Sequence, residues 1–376
     1  MSQKTESRLS WSQVAAFRLQ RHHLVARKSS DLVVICRDIC GLQAQVMGAA
    51  QLALWARADN LVPGDIHSAL WEKHALVKTS AMRQTLHLLP AAEYRVYMTA
   101  LRQSRMAALM RIMARIGVTR KEVDAMNAAL MNALGKDPVP QRELAEAIKP
   151  LISGKRDRWM KLSWPGSNPT AMISWGFFRP AMIEGLICYG PPRGAEATFV
   201  RTDCWLPQTS PPEEDKAKTF LLRQYLGAYG PAKLGDFCGW SGIPTKEAKP
   251  VWESIQEELI EVAIEGVKAF ILRRHLPELD ASKLAGPVVR LLPSFDPYIL
   301  ANANKDHLVH PRHYKRVYRG QGWLSPVILL DGRAVGVWSY DREKGKSGVQ
   351  TEFFEKVPKA ILGEIKRESE RLVQFK

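Results

Sequence analysis

The stretch "KPVWESIQEELIEVAIEGVKAFILRRH", residues 249–275, reads as a helix that runs into "LIEVAIEG" and then, past the glycine, into "VKAFILRR". A helix followed by a strand, a turn and a second strand has the outline of a winged helix, a variant of helix-turn-helix. The same outline recurs twice. In "DIHSALWEKHALVKTSAMRQTLHLLP", residues 65–90, Leu70, Leu76 and Val77 fit a buried helix end, and "MRQTLHLL" then alternates like a strand. In "SWGFFRPAMIEGLICYGPPRGAEATFVRTDCWLP", residues 174–207, helix signals lead to Gly185, then to "LICYG", a Pro/Gly/Arg turn and "ATFVR". Further helical pattern precedes each copy, over residues 12–58, 140–151 and 217–238. Helix-then-hairpin is common in any α+β protein, but three copies in one basic chain favour three winged helices.

Between and beyond the copies the chain changes character. Residues 91–135 read as helical throughout, with a methionine stripe that suits core packing. "LGKDPVPQ", "PQTSPPEED" and "LPELDASKLAGP" read as linkers. Downstream, "VVRLLPSF", "PVILLDGRAVGVWSY" and "GVQTEFFEKV" alternate like strands, and Asp331–Gly332 marks a tight hairpin because both residues tolerate positive φ. A basic tip, "DREKGKSG", falls between two later strands, and "PKAILGEIKRESERLVQF" is an amphipathic helix. The sequence therefore predicts an α+β protein. Its expected domains are a first winged helix with helical extension (1–135), a second (136–208), a third (209–285) and a small β-rich domain (286–376).

The charge balance narrows the function. Of the 376 residues, 54 are Lys or Arg and 38 are Asp or Glu, which leaves a net charge of +16. Such a surface suits a polyanion, nucleic acid first and an anionic membrane second. The opening "MSQKTESRLSW" carries no apolar core of a secretory signal, and no run approaches the ~18 apolar residues that span a bilayer. Five cysteines, Cys36, Cys40, Cys188, Cys204 and Cys238, are an odd count that fits reduced thiols in a cytoplasmic, nucleoid-associated protein. Cys36 and Cys40 are expected to be buried thiols and not metal ligands.

Two motifs are set aside. Gly345–Lys346–Ser347 resembles the end of a phosphate-binding loop, but Tyr340 stands where that loop needs glycine. His307, His310 and His313 have a spacing of three, yet Pro311 interrupts a regular helix. His307 and Arg312, in "KDHLVHPRHYKR", are expected on a basic surface that meets phosphates. No metal or cofactor is called for.

Three constellations remain. In "GLQAQ", residues 41–45, Gln43 and Gln45 share a face only where the chain is extended or turned, as Gly41 allows. Two amides there can hold one water, since each both donates and accepts hydrogen bonds; capping or surface glutamines are the plainer reading. Arg83, Thr85 and His87 would point to one side of a strand, as functional groups or as a solvated face. Asp296, between Phe295 and Pro297 and followed by Tyr298, is either a half-buried electrostatic group or a turn cap.

"GLQAQ", "MRQTLHLLPAAEY", "YLGAYGPAKLGDFCGWSGI", "LLPSFDPYILANANKDHLVHP" and "PVILLDGRAVGVW", in that order, resemble the winged-helix DNA glycosylases of the AlkZ/YcaQ type over nearly the whole chain. The resemblance implies three tandem winged helices arranged as a C around duplex DNA, closed by a C-terminal β-barrel. It implies that Gln43 and Gln45 are the catalytic pair of a Gln–hydrophobic–Gln motif. Some members with that motif remove bulky or crosslinking N7-guanine adducts. Ala44 is smaller than the apolar residue usual between the two glutamines, which bears on pocket shape. The expected partner is double-stranded DNA carrying alkylated bases, bound by a monomer without cofactor. The rival expectations are a non-catalytic winged-helix regulator and a structural nucleoid protein.

Overall fold

A computed structural model of the chain describes residues 8–29, 31–148, 150, 178–341 and 348–375. It divides into two compact units: one comprises Met1–Ile66, Leu221–Trp240 and Thr245–Lys376, and the other His67–Phe220 with Ser241–Pro244.

In the first unit, residues 249–275 form the helix-and-hairpin that the sequence implies. The helix Thr245–Ser254 leads to the strands Leu259–Ile264 and Val267–Leu272, which pair antiparallel. Glu265 (φ 47°) and Gly266 (φ 86°) make the two-residue turn, the left-handed pair that matches strand twist. Arg8–Leu9 adds a third, parallel strand beside Ala263–Ile264. The helix Trp11–Arg21 opens with a reciprocal cap between Ser10 and Gln13. Its Val14 and Phe17 pack with Leu9, Val262, Ile264, Ala269 and Ile271 into one buried cluster.

The C-terminal strands Val289–Leu292, Val327–Leu330, Arg333–Asp341 and Gly348–Phe353 lie side by side in chain order, all antiparallel. Asp331 (φ 50°) and Gly332 (φ 87°) form the expected tight turn. A side chain at position 332 would start 2.7 Å from Ala15 Cβ and 2.8 Å from the Tyr298 hydroxyl, so close packing also requires glycine there. The expected barrel-like closure does not form among the described residues: the four strands make an open sheet. The helix Lys359–Phe375, with buried Ile361, Ile365 and Leu372, packs on the strand Val289–Leu292 instead. Four strands are too few to curl round a filled interior, and the helix buries the apolar surface that closure would have buried. The Gly345–Lys346–Ser347 stretch lies outside the described residues.

Among its described residues the second unit holds two hairpins. Leu76–Ser80 pairs with Leu86–Pro90, and Ile187–Arg193 pairs with Glu196–Arg201, which also takes Val139–Pro140 on its other edge. Residues 91–135 are not one continuous helix. Tyr94–Arg115 and Arg120–Ala133 are separated at Gly117 (φ 70°), and a Thr119–Glu122 capping box starts the second. The methionine stripe is core: Met106, Met113 and Met126 pack with Leu109, Leu130, Leu144 and Phe199. The start of the second copy, residues 174–177, lies outside the described residues.

Candidate active site

The helix Leu32–Asp38 is started by Asp31, whose side chain accepts from the Val34 amide at 3.0 Å. It ends in a Schellman turn. The Gly41 amide donates to the Cys36 carbonyl (2.7 Å) and the Cys40 amide to the Arg37 carbonyl (3.1 Å), with Cys40 left-handed at φ 58°. Gly41, at φ 87°, then turns the chain into the short strand Leu42–Gln43. The Tyr229 hydroxyl reaches in from 190 residues away and donates to the Ile39 carbonyl at 2.7 Å. Burial alternates along residues 42–45: Leu42 and Ala44 are fully buried, Gln43 is half-buried and Gln45 exposed. This is the strand period of two. It turns the two amides to the outer side of a segment pinned by its apolar partners. The helix Met47–Trp55 comes next, with Ala50, Leu52, Leu54 and Trp55 buried.

Behind this segment lies a buried polar layer. Of the two readings of Asp296, a half-buried electrostatic group or a turn cap, it is the cap, and it is fully buried. Its two oxygens accept from Arg57 Nη1 (2.8 Å) and Nη2 (2.7 Å), and Oδ1 also accepts from the Tyr298 amide at 3.0 Å, capping the turn Pro297–Leu300. Arg57 donates as well to the Ala53 carbonyl at 2.8 Å, at the end of the helix that Gln45 precedes. His22 stands edge-on to Tyr229 and Tyr298, with ring centroids 4.8 and 5.4 Å away. Burial, then the Arg57 charge, holds its imidazole far below the ordinary pKa, so it is neutral. Burial likewise pushes the Tyr298 phenol up.

Two other expectations are corrected. His307 is not a free cation. It stacks on Trp11 (centroids 4.2 Å apart), takes Arg18 Nη1 at 2.9 Å, and is pushed down to about 3 by burial and by Arg18. Arg312 is exposed but already engaged by the Glu355 carboxylate. In the second unit, Arg83, Thr85 and His87 do not share a strand face. Met82–Gln84 is a tight turn in which Arg83 (φ 50°) and Gln84 (φ 62°) are left-handed, and the strand begins only at Leu86. Arg83 and Thr85 are half-buried, whereas His87 is buried, with its Nδ1 2.9 Å from the Thr85 carbonyl. Two successive left-handed residues break the alternation on which the sequence reading relied.

Arg57 and Tyr229 escape a reading of the sequence. Arg57 closes an apolar run, and Tyr229 sits in an aromatic helix; neither carries a spacing signal, because their partners are distant in the chain. Among the described residues no group of three or more His, Cys, Asp or Glu can hold a metal ion, and no helix is long and apolar enough to cross a membrane.

Two amides turned outward at and just after a short strand, in a strongly basic chain with helix-and-hairpin units, suit a protein that works on nucleic acid. The family model for AlkZ-like DNA glycosylases matches residues 36–375, and the chain belongs to that family. Its members are hydrolases of N-glycosyl bonds. The chain is 33% identical over 342 residues to the interstrand DNA cross-link repair glycosylase of Streptomyces sahachiroi, covering 88% of this chain and 87% of the relative. Its fold is similar to the solved structure of Streptomyces sahachiroi DNA glycosylase AlkZ, with a TM-score of 0.85 at 28% identity over 98% of this chain and 97% of the other.

Proposed function

We propose that this enzyme excises cationic N7-alkylguanines from duplex DNA, including bulky adducts and lesions that join the two strands, with a water held between Gln43 and Gln45. The observation that carries the reading is the alternating burial of Leu42, Gln43, Ala44 and Gln45, which turns two carboxamides outward from a strand tethered by Tyr229.

The chemistry asks little else of the protein. Alkylation at N7 leaves the purine positively charged. When the bond from its N9 to the sugar C1′ breaks, the bonding pair neutralises the base, so the leaving group needs no general acid. Water oxygen then bonds to C1′ and gives up a proton to solvent. What the enzyme supplies is orientation, which lowers barriers by up to about 7–11 kcal/mol in favourable cases. An amide is suited to the task because one edge accepts and the other donates. No cofactor enters the scheme. Asp296, its charge taken up by Arg57, supports the fold behind the strand in this reading.

The same proposal takes the helix-and-hairpin units within 1–135, 136–208 and 209–285 as three winged helices that grip duplex DNA in a monomer, with residues 286–376 as a fourth domain. Cross-link repair is carried over from the name of the Streptomyces sahachiroi relative. The test is release of N7-methylguanine and of uracil from duplex DNA by wild type, Gln43→Ala and Gln45→Ala. Wild type is expected to release N7-methylguanine, to spare uracil, whose departure needs a proton, and to lose activity in both variants. Equal release by all three proteins overturns the assignment.

A further inference from the structure

A cleft of about 450 Å³ opens in the first unit between the C-terminal end of the helix Trp11–Arg21, the helix Glu214–Tyr229 and the turn Arg273–His275. Its lining includes Arg21, Gln224, Arg274 and His275, with the carboxylates of Asp38 and Glu278 among them. Both carboxylates are already engaged. Glu278 accepts from Arg21 Nε at 2.9 Å, and Asp38 lies 2.7 Å from His23 Nε2. Arg223, on the same wall, is held by both oxygens of Glu258.

His275 is then left between two arginines. Arg21 Nη2 lies 2.6 Å from its Nδ1, and Arg274 Nε lies 3.4 Å from its Nε2. A guanidinium only donates, and a neutral imidazole has one acceptor nitrogen. The short contact to Arg21 claims Nδ1 as the acceptor, so the ring proton sits on Nε2. Nε2–H and the Arg274 guanidinium are therefore two donors facing each other. The ring is neutral, because burial and then the Arg21 and Arg274 charges bring it down to about 4. Arg274, which is exposed, meets no carboxylate within salt-bridge distance among the described residues. Two donors set against each other lack an acceptor that can sit between them.

We infer that this cleft is a binding site for one phosphate of the DNA backbone, whose non-bridging oxygens bridge the Arg274 guanidinium and His275 Nε2–H. The inference rests on the proposed function only in taking duplex DNA as the ligand. A phosphodiester supplies the missing acceptors and the missing negative charge at once, and arginine favours that partner for its planar fork. The placement also suits an enzyme that must set its catalytic strand against DNA. Asp38, on the cleft wall, is the last residue of the helix that leads into Gln43. The helix that supplies Gln224 also supplies Tyr229, which ties down Ile39. A phosphate seated on the turn Arg273–His275 would lie beside the two helices that lead to and tie down the segment before Gln43.

The test is the salt dependence of affinity for a short undamaged duplex, measured with the full chain for wild type, Arg274→Gln and Arg274→Lys. Each phosphate neutralised contributes about 0.9 to the slope of log affinity against log salt. Arg274→Gln is expected to make the slope shallower by about 0.9, so that a fourfold rise in salt costs it roughly 3.5-fold less affinity than it costs wild type. Arg274→Lys, which keeps the charge, is expected to retain the slope. An unchanged melting temperature shows that both variants are folded. A wild-type slope in Arg274→Gln overturns the inference even if N7-methylguanine is released as proposed. A shallower slope sustains it even if the enzyme's lesion proves to be another.

Discussion

Arg57 and Asp296, 239 residues apart in the chain, meet in a two-pronged ion pair in which neither side chain touches solvent. The pair joins the end of the helix after Gln45 to the capped turn that opens at Pro297. Removing one partner of a buried pair leaves the other charge stranded, at a cost of about 3–5 kcal/mol, whereas an apolar pair of similar volume is close to neutral. Asp296→Ala should therefore lower the unfolding free energy by about 3–5 kcal/mol, and Arg57→Met combined with Asp296→Leu should recover most of the loss. Urea denaturation at neutral pH measures both. If Asp296→Ala unfolds like wild type, the pair contributes nothing to the fold.

Tyr229 holds the segment that leads to Gln43 from outside it. Its hydroxyl is the donor to Ile39, just before the Schellman turn. Tyr229→Phe keeps the ring packing and deletes that bond, leaving a buried carbonyl unsatisfied, so stability should fall by about 1–3 kcal/mol. If the bond positions Gln43 and Gln45, the single-turnover rate should fall roughly 10- to 100-fold with DNA affinity unchanged. A purely structural tether predicts the stability loss and a wild-type rate once the measurement is made well below the melting temperature.

Much of this fold could be read in the chain because its signals are local. The turn after Ile264 and the turn at Asp331–Gly332 are set by two adjacent residues each, and the hairpins around them form as expected. The turn before Gln43 was legible for the same reason: Gly41 frees the backbone there. The Met82–Gln84 turn was not legible, because nothing in Arg83 or Gln84 announces a left-handed backbone. Arg57, Tyr229 and Arg274 take their meaning from partners brought in by packing, and no period along the sequence encodes that. The net charge of +16 points to the ligand class but not to the sites, since a cation such as Arg312 is already paired with Glu355.

His87 ties stability to pH. Its folded pKa, brought down to about 3 by burial and by the Arg83 charge, lies below the ordinary 6.5. The unfolded chain therefore binds a proton that the folded chain refuses. Stability from this group is fully present above about 6.5 and drains away as pH falls toward 3. At pH 5 the loss from His87 alone is about 2 kcal/mol. His22, also buried and held far below its ordinary pKa, adds to it in the same direction. Urea denaturation at pH 7 and pH 5 should show wild type losing about 2 kcal/mol more than His87→Gln. Equal losses would mean that His87 takes up its proton in the folded state.

Ala44 is fully buried between the two glutamines, just after the short strand Leu42–Gln43, whose inward residue Leu42 is buried as well. Its methyl fills a position closed to solvent. Extra methylenes in a packed site force side chains off their rotamers or shift the backbone, typically for 1–3 kcal/mol. Ala44→Leu should lower the unfolding free energy by about that amount. Because the strand itself has to move, both amides move with it, and single-turnover release of N7-methylguanine should slow by roughly tenfold or more. Ala44→Gly leaves the strand room to stay where it is, so it should cost stability while keeping most of the rate. If Ala44→Leu instead excises as fast as wild type, the outward placement of Gln43 and Gln45 does not depend on what is packed beneath them, and rigidity of this strand is not what orients the water.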